Sequence, residues 1–216
     1  TAAEHAVDML ARLIRQEAET GGKVTLVPTG PLTNIGMLFI KEPEIKQHIE
    51  GIVLMGGAVY ESNITPSAEF NIYVDPEAAA LVFSSGLPVT MVGLDVTNRA
   101  YFSFEDIEAI KALEGRVSGV VAPLLDFFAK ANRDIFGIPG APLHDALAVL
   151  AVAQPEIVKT RQLNVVVETE GEFTRGRTVT DVYGVTGREA NTDVALQVDV
   201  PRFKEAIMEV LRRLDG

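Results

Sequence analysis

Apolar positions along this chain follow two different periods. Ala6, Met9, Leu10, Leu13 and Ile14 recur at the spacing of one helical face, so the chain opens inside an amphipathic helix that the pattern carries back to Ala3. Further on, apolar residues come in short unbroken runs at 23–27, 52–55 and 89–94, rich in valine, isoleucine and leucine. Such runs are the signature of strands covered on both faces. Residues 32–40 read as a helix with Pro31 near its first turn. Residues 75–83 read as another, with Asp75 at the N-cap and Pro76 at the first helical position. This alternation predicts an α/β fold, a mainly parallel sheet flanked by helices. Helices are predicted at 104–113 and 117–133, and a very apolar one at 146–153 follows His144-Asp145. Runs at 163–168, 178–182 and 193–198 read as strands joined by glycine-containing turns, a small antiparallel part near the C-terminus. A last helix at 201–214 places Phe203, Ile207, Val210, Leu211 and Leu214 on one face. With no repeat, low-complexity stretch or linker, residues 1–216 read as a single domain.

Composition narrows the function. The 216 residues hold 19 Lys and Arg against 30 Asp and Glu, a net charge of −11. That balance, with no basic cluster, argues against an electrostatic grip on nucleic acid. No apolar run approaches the ~18 residues of a membrane span, so neither nucleic acid nor membrane is an expected partner. There is no cysteine, which excludes a disulfide framework, a thiolate metal site and a cysteine nucleophile. Together with a start that has no signal-peptide layout, this fits a cytoplasmic protein.

In open α/β sheets ligands bind outside the carboxyl ends of the strands. The loops there begin at Thr29, at Met55-Gly56-Gly57 and at Asp95. Gly56-Gly57 allows a tight turn or a close backbone approach to a ligand, and Asp95 is expected to order the neighbouring loops. Glu69 and Asn71 lie two positions apart and in extended backbone would point the same way. A carboxylate beside a carboxamide suits a polyhydroxylated ligand, or serves a turn with solvated side chains. His144-Asp145 can supply a neutral-pH acid or base beside a hard-metal ligand, or a loop histidine before a helix cap. His5 and His48 lie away from strand ends and read as structural. Phosphate loops and the serine-hydrolase elbow are absent.

Taken together, Val27-Pro28-Thr29-Gly30-Pro31-Leu32-Thr33-Asn34-Ile35, Val53-Leu54-Met55-Gly56-Gly57-Ala58, Asn63 with Ala68-Glu69-Phe70-Asn71, Asp75-Pro76-Glu77-Ala78-Ala79, Gly93-Leu94-Asp95-Val96-Thr97 and Leu143-His144-Asp145-Ala146 resemble the inosine-uridine preferring nucleoside hydrolases. The resemblance implies hydrolysis of the N-glycosidic bond of ribonucleosides to free base and ribose, with Ca²⁺ as cofactor. It implies that Asp145 and the Thr29 backbone oxygen are metal ligands, with Asp145 also in the substrate pocket. Asn63, Glu69 and Asn71 would hold the ribose, Met55 and Phe70 would lie beside it, and His144 would help protonate the leaving base. These residues are expected to converge on one cleft. The resemblance also implies a homodimer or homotetramer and places base preference in the segment 132–142, read as a loop with Phe136 as its aromatic. The family's aspartate-rich motif, Asp-x-Asp-x-Gly-x-Asp-Asp, has no counterpart here. The expectation is therefore a chain lacking its N-terminal part, roughly 90–110 residues, the size of one α/β half. The alternatives are a catalytically inactive ribose- or nucleoside-binding protein and a structural remnant.

Overall fold

The computed structural model describes residues 4–216, and the start of the predicted first helix at Ala3 lies outside them. Helix α1 (Ala6–Glu19) is capped by His5, whose Nδ1 accepts the Val7 N–H at 3.2 Å. It buries Val7, Ala11 and Ile14, while Leu13 stands exposed. Ile14 of the expected face is buried and Leu10 packs against the core, so the buried stripe is offset toward Val7 and Ala11, with α1 packed on helix α2 (Thr33–Lys41).

Strands β1 (Val24–Leu26), β2 (Ile49–Met55) and β3 (Val89–Val92) pair in parallel, as their continuous apolar runs require. Strands β6 (Val158–Leu163) and β9 (Thr192–Val198) complete a five-stranded sheet in the order β1-β2-β3-β9-β6, with β9 parallel to β3. Ile52, Leu54, Val89 and Met91 are fully buried in it, each worth about 1.5–3 kcal/mol of burial. Helix α4 (Pro76–Phe83) begins as predicted, the Asp75 carboxylate accepting the Ala78 N–H and Pro76 opening the first turn. Strands β7 (Val165–Val167) and β8 (Thr178–Thr180) form the expected small antiparallel pair, whereas the run at 193–198 is not part of it and lies in β9 of the parallel sheet.

The chain divides into two compact units, one of residues up to Asp95 with Thr160–Leu196, the other of Val96–Lys159 with Gln197–Gly216. The short helix α5 (Leu94–Thr97) spans their boundary in sequence. In the second unit β4 (Tyr101–Ser103) pairs antiparallel with β5 (Gly140–Pro142), a ladder of three residues a side that no apolar run announced. Ser103 and Asp106 form a capping box for α6 (Phe104–Lys111). Helix α7 (Ser118–Phe136) runs further than predicted, to a left-handed cap at Gly137 with φ of 70°. The segment 132–142, expected as a loop, is therefore the last turn of α7 and β5 with a short connection between. Helix α8 (His144–Ala153) follows, and α9 (Val200–Asp215) sets Phe203 edge-on to Phe102, ring centroids 6.2 Å apart.

Candidate functional site

In the first unit the carboxyl ends of β1, β2 and β3 are tied to one another through backbone. Met55 N–H donates to Pro28 O at 3.0 Å, and Leu94 N–H to Gly57 O at 3.0 Å. Gly57 has φ of 68°, and a Cβ there would meet the Thr178 side chain at 2.8 Å and Met91 Sδ at 2.9 Å. The close approach that Gly56-Gly57 permits is at this position an approach of the protein's own side chains.

The loop leaving β2 is held almost atom by atom. Gly57 N–H donates to Glu69 Oε2 at 2.9 Å. Thr178 Oγ1 accepts the Ala58 N–H at 2.9 Å and donates to Ala58 O at 2.6 Å. Asp95 is buried and accepts two N–H groups, Val59 at 2.6 Å and Tyr60 at 2.9 Å. Arg177 donates to Val59 O at 2.9 Å. The expected ordering role of Asp95 is seen here. Thr178 and Arg177 were not anticipated: they sit 120 and 118 positions from their partners, and a single Thr or Arg carries no local signal.

Glu69 and Asn71 do not lie in extended backbone. Glu69 is the N-cap of the short helix α3 (Phe70–Val74), its carboxylate accepting the N–H groups of Asn71 at 3.0 Å and Ile72 at 3.4 Å. The local reason is the acidic cap on orphaned helix donors, which outcompetes the strand conformation. Glu69 is only 3% exposed. Asn71, at the first turn, donates through Nδ2 to Met55 O at 3.1 Å and lies 3.5 Å from Thr29 O and 3.3 Å from Met55 Sδ. Two carbonyls around Nδ2 fix the amide orientation, and Oδ1 makes no hydrogen bond among the described residues. Asn63 Oδ1 accepts the Phe70 N–H at 2.9 Å, and the Phe70 ring is partly exposed. Thr29, Met55, Asn63, Glu69, Phe70 and Asn71 thus form one connected group, all within the first unit.

His144 and Asp145 belong to the second unit. They are the first two residues of α8, and the N-cap is Leu143, without a side-chain cap, so Asp145 is not the cap. His144 Nδ1 lies 2.8 Å from Oγ1 of Thr97. Burial lowers the His144 pKa to about 4, which makes the ring neutral at pH 7. Partial desolvation pushes the Asp145 carboxyl above its ordinary value, and it makes no hydrogen bond or ion pair among the described residues.

The sheet thus gathers an amide, a buried carboxylate and backbone carbonyls at its strand ends, where ligands bind in open α/β folds. The comparisons with known proteins agree. The profile of the inosine-uridine preferring nucleoside hydrolases matches residues 1–205, and the chain belongs to that family. It is 48% identical over 207 residues to the pyrimidine-specific ribonucleoside hydrolase RihA of Shewanella woodyi, covering 95% of this chain and 65% of that protein. The RihA of Escherichia fergusonii is 46% identical over 208 residues, 96% of this chain and 66% of that one. The chain therefore spans about two thirds of the length of the curated relatives it matches. Among solved structures, the purine-preferring ribonucleoside hydrolase from Gardnerella vaginalis superposes with a TM-score of 0.89 at 38% identity, covering all of this chain and 67% of that one.

Proposed function

We infer that the protein hydrolyses the N-glycosidic bond of ribonucleosides. The observation that carries this is Asn71, whose Nδ2 is tethered to Met55 O while its Oδ1 is left to accept a sugar hydroxyl. In the reaction, a water oxygen bonds to C1′ and the C1′–N bond breaks with its electron pair going to the base. The base takes a proton and ribose keeps the new hydroxyl. Bond breaking leaves positive character on the ribose, as in other glycoside cleavages. Amide and carboxylate oxygens around the sugar stabilise that charge. Asn71 and Asn63 hold hydroxyls, and the Glu69 carboxylate, which accepts the N–H groups of Gly57, Asn71 and Ile72, fixes the loop and helix turn that present them to the ribose. Met55 and Phe70 pack beside the ring. His144, as a neutral imidazole, donates a hydrogen bond to the departing base.

Asp145 and the Thr29 carbonyl are hard oxygens and fit Ca²⁺ in kind. They do not fit in number: they give at most three oxygens of the about six to eight that Ca²⁺ takes. Among the described residues no three His, Cys, Asp or Glu side chains gather as a metal site. The remaining ligands and the base that activates water are proposed to come from an N-terminal part outside this sequence. Bound there, the ion would polarise the ribose hydroxyls and water. Since the higher identities go with pyrimidine-specific relatives, uridine and cytidine are the substrates proposed first. In the whole protein Asn71→Ala should lower kcat/KM on uridine by about 100-fold, the size of one lost transition-state contact of this kind. Nucleoside binding without any turnover by the unmodified protein would instead favour the inactive binding protein.

A further inference from the structure

We propose that Thr97 is a positioning residue for His144, fixing the imidazole as the tautomer that carries its proton on Nε2 and turns that N–H toward the leaving base. The inference rests on the reading of His144 as the donor to the base. Thr97 is 0% exposed, and its hydroxyl is 2.8 Å from His144 Nδ1. No other hydrogen bond of that hydroxyl exists among the described residues. A buried hydroxyl has one proton to place, and leaving it unpaired is unfavourable. If Nδ1 carried the ring proton it would donate to Oγ1, and the threonine proton would have no acceptor. If Oγ1–H donates to Nδ1, both groups are satisfied and the ring proton sits on Nε2. Sequence position alone would not bring these two together, since they are 47 residues apart.

The backbone explains why the contact is stiff. The β4–β5 ladder aligns Tyr101 with Pro142, Phe102 with Ala141 and Ser103 with Gly140. One more bond, Leu143 N–H to Ala100 O at 3.1 Å, carries the pairing to the residue before His144. Ala100 N–H in turn donates to Thr97 O at 3.1 Å. Thr97 and His144 therefore leave the same end of one short antiparallel ladder, the Tyr101–Pro142 end, and all of these residues lie in the second unit.

The test uses the whole encoded protein, two substrates and four variants. Uridine needs help for its leaving base, whereas a 4-nitrophenyl riboside expels a stable phenolate without protonation. Thr97→Val removes the hydroxyl at nearly constant volume and should lower kcat on uridine about tenfold to hundredfold, part of a general acid's usual contribution. KM, and turnover of the nitrophenyl riboside, should stay within about threefold of the unmodified protein. Thr97→Ser should recover most of the loss. Thr97→Val added to His144→Ala should cost nothing further on uridine. The ¹⁵N signals of His144 should show a protonated Nε2 and a bare Nδ1, and Thr97→Val should shift them toward a tautomer mixture. Equal losses on both substrates, no rescue by serine, or a ring protonated on Nδ1 would overturn the proposal. If His144→Ala itself fails to discriminate the two substrates, the donor reading falls, while the ¹⁵N signals still decide whether Thr97 sets the tautomer.

Discussion

At the scale of single residues, the site depends on side chains that bind backbone. Asp95 is the clearest case, a buried carboxylate accepting both Val59 and Tyr60 N–H groups. Its replacement by alanine strands two donors, and charge-assisted bonds of this type contribute about 1.5–3 kcal/mol each. Asp95→Ala should lower unfolding free energy by about 2–4 kcal/mol and speed amide exchange selectively at residues 58–61, which hydrogen–deuterium exchange would read directly. His144 gives a second expectation. Its folded pKa of about 4 lies below its ordinary 6.5, so between those values the unfolded chain binds a proton that the folded one refuses. Stability should therefore fall as pH drops from 6.5 to 4 and be indifferent to this group above 6.5. The size is bounded by about 3 kcal/mol. Urea titrations in metal-free buffer, compared with His144→Gln, would isolate the effect; a variant with the same pH profile would refute it.

At the scale of elements, what was legible in the sequence was whatever depends on neighbours along the chain. Asp75-Pro76 announced α4 because cap and first turn lie side by side, and the structure has the bond from Ala78 N–H to the Asp75 carboxylate. Asp75→Ala should cost about 1 kcal/mol, from the lost cap, measured as a shift in the urea midpoint. Asp75 also accepts the Thr33 hydroxyl at 2.6 Å, so Thr33→Val should have part of the same effect. The parallel strands were legible for a similar reason, since continuous apolar runs have few other uses. Glu69 and Asn71 were correctly singled out but given the wrong local geometry. Period-two spacing is indistinguishable from a one-turn helix over three residues, and only the distant Gly57 N–H and Met55 O make the helical arrangement pay. The β4–β5 ladder was not legible at all, because three residues a side show no period. Nor were Thr97, Thr178 and Arg177 as partners of the site, since their contacts close over 47, 120 and 118 positions.

At the scale of the whole molecule, the family is certain while the chain covers 65% of its curated relative. The two candidate ligand groups, at Thr29 in one unit and Asp145 in the other, define the expectation for these 216 residues on their own. Affinity for Ca²⁺ follows the number and charge of ligands. One carboxylate and one carbonyl should hold it no more tightly than about millimolar, and uridine should not be turned over. Calorimetric titration and an assay for released uracil, run beside the whole encoded protein, would check both. Sub-micromolar binding by the 216 residues would mean that the metal ligands have been misassigned. In the whole protein, chelation should abolish turnover and added Ca²⁺ should restore it.

The clamped loop after β2 also makes the protein convenient to instrument. Residues 57–60 are held through their backbone, so the Tyr60 side chain, 71% exposed, is not what keeps its own position. No cysteine occurs anywhere in these 216 residues. Tyr60→Cys would therefore introduce a single thiol in this stretch, on a rigid footing a few residues from Asn63. A fluorophore attached there would ride on a fixed anchor, so changes in its emission would report on occupancy of the neighbouring pocket rather than on motion of the tether.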